Sequence, residues 1–212
     1  MRRLTLFLAA ALLVAGADSA NGQMVKAGVQ GGLNIATADV KGELFTEDVG
    51  TRTGMHLGIS AWVDLTTYFA VRVDAMYSQK GFGAGDGDLS LSVNYIEIPL
   101  YFVLQIPATI KPYLLFGVVL GLENSCSVST ATDSNVPCAD VSDAPQTKGA
   151  DSGLVFGLGA ETKFGPGFIF ADAIYNYGLT DISEPSLQVE SIKTRTFYLS
   201  LGYYFNIGDT SQ

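Results

Sequence analysis

The chain has 212 residues, with 12 basic against 21 acidic side chains, a formal net charge of −9 and 48% hydrophobic residues. That acidic balance argues against nucleic acid as a partner, because phosphate binding needs a basic surface. Beyond the amino-terminal leader no apolar run reaches the ~18 residues of a membrane helix, so a place in a bilayer has to be built from strands.

Arg2 and Arg3 precede an apolar run from Leu4 to Gly16 and then small residues, the layout of a cleavable secretory leader. Cleavage near Ala20-Asn21-Gly22 divides the chain into a leader, 1–22, and one domain, 23–212. The leader takes Arg2, Arg3 and Asp18 with it, so the exported chain stays acidic.

Eight segments then follow a period of two, which is the strand period. They run about Val25 to Ala36, Gly54 to Asp64, Tyr68 to Lys80, Leu91 to Ile106, Pro112 to Glu123, Ser152 to Phe164, Phe168 to Leu179 and Thr196 to Phe205. In the last, Phe197, Leu199, Leu201, Tyr203 and Phe205 share one face, with Thr196, Tyr198, Ser200, Gly202 and Tyr204 on the other. In the first, Ala27, Val29, Leu33 and Ile35 oppose Lys26, Gln30 and Asn34. Strands of about ten residues tilted by ~40° match an outer-membrane hydrocarbon band.

The connections after the second, fourth and sixth strands are short (Leu65 to Thr67, Pro107 to Lys111, Gly165 to Gly167). The other four are longer and polar: Ala38 to Gly50, Gly81 to Ser90, Asn124 to Ala150 and Thr180 to Lys193. Short periplasmic turns alternating with long outer loops put both chain ends on the periplasmic side. A soluble lipocalin-like barrel has the same alternation turned inside out, and two features favour the membrane form. The polar faces are rich in Gly and carry isolated charges at strand centres, as a narrow interior requires. Tyr68, Phe69, Tyr77, Phe164, Tyr177, Tyr203 and Phe205 stand near strand ends, where interfacial aromatic girdles form.

The expected fold is therefore all-β, an eight-stranded antiparallel up-and-down transmembrane β-barrel. Arg72, Asp74, Glu97, Glu161 and Asp172 all fall on its lumen face. Charges in a dry interior have to pair, and eight strands leave a lumen just wide enough for side chains to fill. The structural reading is a charge network plugging the lumen, with Arg72 paired to Glu97 or another lumen carboxylate; the functional alternative is a selectivity filter in a narrow pore.

Cys126 and Cys138, in a polar segment of an exported chain, read as a disulfide; two thiols without nearby His or Cys are too few for a structural zinc. His56, Ser60 and Asp64 share one strand face, but positions four apart lie about 13 Å apart, out of reach for a catalytic triad. The four long loops hold twelve acidic residues against Lys41, Lys148 and Lys193, without the ligand spacing of a calcium loop; Asp86-Gly87-Asp88 is too short for one. No cofactor, metal or catalytic residue is expected.

Tyr95-Ile96-Glu97-Ile98-Pro99-Leu100, Tyr175-Asn176-Tyr177-Gly178-Leu179-Thr180-Asp181-Ile182 and Gly31-Gly32-Leu33-Asn34 stand in order along the chain. Together they resemble the small outer-membrane β-barrel, or porin-family, proteins abundant in Bacteroidota-type bacteria. The resemblance covers essentially the whole exported chain and implies an eight-stranded barrel in the outer membrane of a Gram-negative cell, mostly without assigned activity. Glu97 and Pro99 carry over as structural residues. Ile174 stands where the family commonly places Arg, and Asp181 where it places Asn, so Arg72 or Lys163 has to compensate in the lumen.

The expected role is structural or surface-interacting, through the acidic loops and an unidentified extracellular ligand or partner. The expected surroundings are outer-membrane lipid, with barrel-assembly machinery acting during insertion, and the protein is expected to be a monomer. Phe205 stands seven residues before the last residue, displacing the terminal aromatic that such machinery favours in related proteins.

Overall fold

A computed structural model describes residues 24–41, 50–84, 89–130, 136–138, 149–181 and 191–208. The leader expected over 1–22 lies outside the described residues, as do Asp86-Gly87-Asp88 and most of the acidic loop residues.

The described residues form nine strands: β1 Val25–Lys41, β2 Gly50–Asp64, β3 Phe69–Ala84, β4 Leu89–Gln105, β5 Ile110–Thr130, β6 Val136–Pro137, β7 Ala150–Phe164, β8 Gly167–Gly178 and β9 Ser191–Gly208. Eight of them form a closed antiparallel wall. Each pairs with its sequence neighbours, β5 passes to β7, and β9 returns to β1 along Ala27↔Phe205, Leu33↔Leu199 and Ala36↔Thr196. The two-residue β6 is added along the outer part of β5.

Which face points out follows from where the apolar residues lie. Leu57 is 69% exposed and Leu201 70%, whereas Arg72 and Trp62 are at 0%. Val29, Met55, Phe69, Phe102, Phe116, Phe156 and Leu199 continue the same outward belt. An exterior of this kind is stable only against hydrocarbon, which rules out the lipocalin-like alternative.

The connections at one end are the short ones, 65–68, 106–109 and 165–166, and Val25 meets Gly208 there. Gly165 takes φ 60° in the two-residue turn between β7 and β8, the backbone sign that tight hairpin loops demand and that side chains resist.

The strands are longer than expected from the sequence. Most of Gly81 to Ser90, expected as loop, belongs to β3 and β4, and β5 has 21 residues. At ~3.3 Å per residue and a ~40° tilt, β5 rises roughly twice the height of a ~25 Å apolar band. Alternation in the sequence weakens once the outward face leaves hydrocarbon, so the projecting parts were not legible as strand. Tyr68, expected to begin the third strand, lies in the turn before Phe69.

Candidate functional site in the barrel lumen

The lumen is filled by side chains in three tiers. At mid-height, Arg72 on β3 is wholly buried and spends its donors on three partners. Its Nε and Nη2 donate to the two carboxylate oxygens of Asp74 at 2.8 and 2.9 Å, Nη1 donates to Asp172 Oδ2 at 2.5 Å, and Nη2 also donates to Gln30 Oε1 at 2.7 Å. Tyr113 Oη completes the set by donating to Asp172 Oδ1 at 2.6 Å. The rings of Tyr101 and Phe170 flank the guanidinium, 5.3 and 5.0 Å from its central carbon. Gly159 makes this possible, since a Cβ there would collide with both the Asp172 carboxylate and the Tyr113 ring.

The tier at the short-turn end is built on Lys26 and Glu161. Lys26 Nζ donates to both carboxylate oxygens at 2.8 and 2.7 Å. Lys111 stands 3.6 Å from Glu161, and Asp64 3.9 Å from Lys26. Trp62 closes the tier, its ring centroid 4.3 Å from Lys26 Nζ and its indole N–H donating to Asp64 at 2.7 Å. Phe170 and Tyr204 stack at 4.3 Å between this tier and the middle one.

In the outer tier Lys80 Nζ meets Glu97 at 2.5 Å, and Tyr198 Oη donates to the same carboxylate at 2.7 Å. His56 Nε2 lies 2.9 Å from Ser200 Oγ, and its ring meets Tyr198 edge-on. Thr194 Oγ1 donates to Asp151 at 2.7 Å.

All five charged residues expected in the lumen are buried there, yet they are not one network. Arg72, Asp74 and Asp172 come together; Glu97 and Glu161 belong to separate tiers. Arg72 pairs with Asp74 and Asp172, and the expected alternative, Glu97, is taken by Lys80. Of the two residues expected to compensate in the lumen, Arg72 holds Asp172, while Lys163 is exposed at the end of β7. Ile174 itself is buried on the lumen side. Lys26, Lys80, Lys111 and Tyr113 were missed as partners. The signal was in the charge count: four lumen carboxylates were named against one cation, and Lys26 and Lys80 fall on the same faces as the rest.

Pro99 also has a local role. The β3–β4 pairing is interrupted between Val73↔Leu100 and Met76↔Glu97, opposite a residue with no N–H to contribute. The break lies beside Asp74, whose side chain turns to Arg72.

His56, Ser60 and Asp64 do not converge. Among the described residues the serine hydroxyl bonded to His56 is that of Ser200, and His56 Nδ1 has no partner, so no described carboxylate orients the ring as a triad requires. Among the described residues no cluster of His, Cys, Asp and Glu could hold a metal ion. The disulfide expected between Cys126 and Cys138 is present, with Cα atoms 5.4 Å apart. It lies against strand rather than in a loop, since Cys126 is in β5 and Cys138 follows β6 directly.

A family model described as outer membrane protein beta-barrel domain matches residues 6–205. Among solved structures, Ail, the attachment invasion locus protein of Yersinia pestis, in complex with the heparin analogue sucrose octasulfate, is 17% identical; the match covers 85% of this chain and 99% of that one at a TM-score of 0.45. Neisserial surface protein A is 22% identical over 90% of this chain and 100% of that one, with a TM-score of 0.46. OprG of Pseudomonas aeruginosa is 14% identical over 89% and 100%, also at 0.46. No curated protein sequence matches the chain.

Proposed function

Because the chain belongs to the outer membrane protein beta-barrel family, we propose that it works as a closed barrel of that membrane, presenting its outer strands and acidic loops to the cell's surroundings rather than passing solutes. One observation carries this reading: the mid-lumen tier, where a fully buried Arg72 is bound on two sides by Asp74 and Asp172 and on a third by Gln30. Burying charges costs several kcal/mol each unless their partners are complete, and this arrangement completes them by filling the lumen's cross-section.

In this reading the protein is a monomer surrounded by lipid, placed there by barrel-assembly machinery, and its partner is an extracellular molecule that meets the loops. The Bacteroidota-type affinity of Tyr95–Leu100 and Tyr175–Ile182 belongs to the same proposal. Catalysis has no support in the lumen, since His56 and Ser200 are both buried and lack an orienting acid.

A narrow pore is the competing reading. Reconstitution in planar bilayers separates the two: the closed barrel gives no stable single-channel steps, and regular steps from the purified wild-type protein would establish the pore instead.

A further inference from the structure

The outward belt is recessed near the short-turn end. Ala160 on β7 pairs with Ala171 on β8, and Ala171 in turn with Leu201 on β9. One row nearer the turns, Ile110, Thr162 and Ile169 stand side by side on β5, β7 and β8. The two alanines form the floor of a groove of about 410 Å³, walled by Ile110, Ile169 and Leu201, which are 62%, 41% and 70% exposed. Thr162 brings a hydroxyl to the lining, but it is spent on Thr109 O, to which it donates at 3.1 Å. The groove therefore offers carbon to whatever fills it.

Within a bilayer an apolar recess selects its occupant by shape, since association there is driven by van der Waals packing and not by escape from water. A second barrel presents a convex wall and leaves the floor untouched, whereas one flexible chain can lie along it. The rim supplies the other half of the specificity. Tyr203 donates to Phe164 O at 2.9 Å and meets Phe205 edge-on, and Phe164 and Phe205 are both exposed. These rings form an aromatic girdle at the headgroup level of the periplasmic leaflet. Lys163, next to Thr162, is exposed and has no ion-pair partner among the described residues, while Lys111 is engaged by Glu161. A lysine stem lies along apolar surface while its ammonium reaches the headgroups, where it attracts negative charge.

We propose that the groove is a phospholipid site: one acyl chain of a periplasmic-leaflet phospholipid lies over Ala160 and Ala171, and its phosphate is held by Lys163. The site is on the outside of the wall, so it stands whether or not the lumen conducts.

Native mass spectrometry of the folded protein, released from detergent micelles supplied with phosphatidylglycerol, tests the site. Wild type retains one phospholipid. Ala160→Leu/Ala171→Leu fills the groove with side chains that hydrocarbon accepts, and retention falls by about tenfold or more. Ala75→Leu, the same change at an exposed position on the opposite wall, leaves retention at the wild-type level. Lys163→Gln lowers retention by roughly fivefold, the share of one cation beside an anionic headgroup, and removes the preference for phosphatidylglycerol over phosphatidylcholine. Folding of each variant is checked by the different gel mobilities of unheated and heated samples. Lys163 is at an exposed strand end, so its variant folds even if the double variant does not, and unchanged retention and preference in Lys163→Gln overturn the site. Failure of wild type to retain phospholipid, retention of a second copy of the chain in its place, or an equal loss in Ala75→Leu also overturns it.

Discussion

Arg72 shows how a single side chain can decide the state of a lumen. Its four hydrogen bonds join β3 to β1 and β8 across the interior, and Tyr113 brings in β5 through Asp172. Arg72→Met keeps the bulk but leaves Asp74 and Asp172 buried without their cation, and breaking a buried pair this way costs about 3–5 kcal/mol. Urea unfolding of the variant in detergent should show that loss as a lower midpoint; a midpoint equal to wild type would mean the tier contributes nothing to stability. That Arg72, Asp74 and Asp172 face inward was legible from their alternation with Val71, Val73, Ala171 and Ala173. Which of them meet was not. Alternation assigns a side of the wall but no height, and height depends on strand tilt and stagger. Lys26 therefore found Glu161 at a separation of 135 residues, a pairing invisible to any local pattern.

At the scale of elements, the short turns are strictly specified and the outer hairpins are loosely specified. The β7–β8 connection has two residues, with Gly165 in the left-handed region. Gly165→Val places a β-branched side chain there at a cost of about 1–2 kcal/mol. Refolding from urea into detergent micelles should show a corresponding drop in stability, whereas Gly149→Val, in open space at the outer end, should have little effect. The outer parts of β3, β4 and β5 escaped the sequence reading for a related reason. A register shift between Asn94 and Tyr95 breaks the alternation of β5 against β4, so Ser125 to Ser129 resemble loop composition while lying in a ladder. The disulfide was legible from compartment and spacing, but its place against Val93 and Tyr95 was not.

For the whole molecule, stability depends on a solvent that the chain does not itself supply. Leu199, 48% exposed, lies between Leu33 and Ala173 in the outward belt. Leu199→Arg puts a charge into the hydrocarbon, at a cost of about 2–4 kcal/mol near mid-height. The folded fraction after refolding into lipid vesicles, read from the different gel mobilities of unheated and heated samples, should fall for this variant; Thr196 faces the other way, and Thr196→Ser should leave it unchanged. The architecture was the most legible level of all, because the same two-residue period recurs in every wall strand and each repetition confirms the rest.

The β1–β9 seam joins the two most distant parts of the wall, Ala27 to Phe205 and Ala36 to Thr196. During synthesis β9 is the last wall strand to emerge, so every earlier stage leaves β1 and the newest strand as open edges. Unpaired N–H and C=O groups cannot be tolerated in hydrocarbon. An assembly that stops before β9 cannot exist as a smaller stable barrel in lipid; it has to be escorted until the seam closes, and a truncation that removes β9 alone would therefore remove the protein from the membrane as completely as losing the chain altogether.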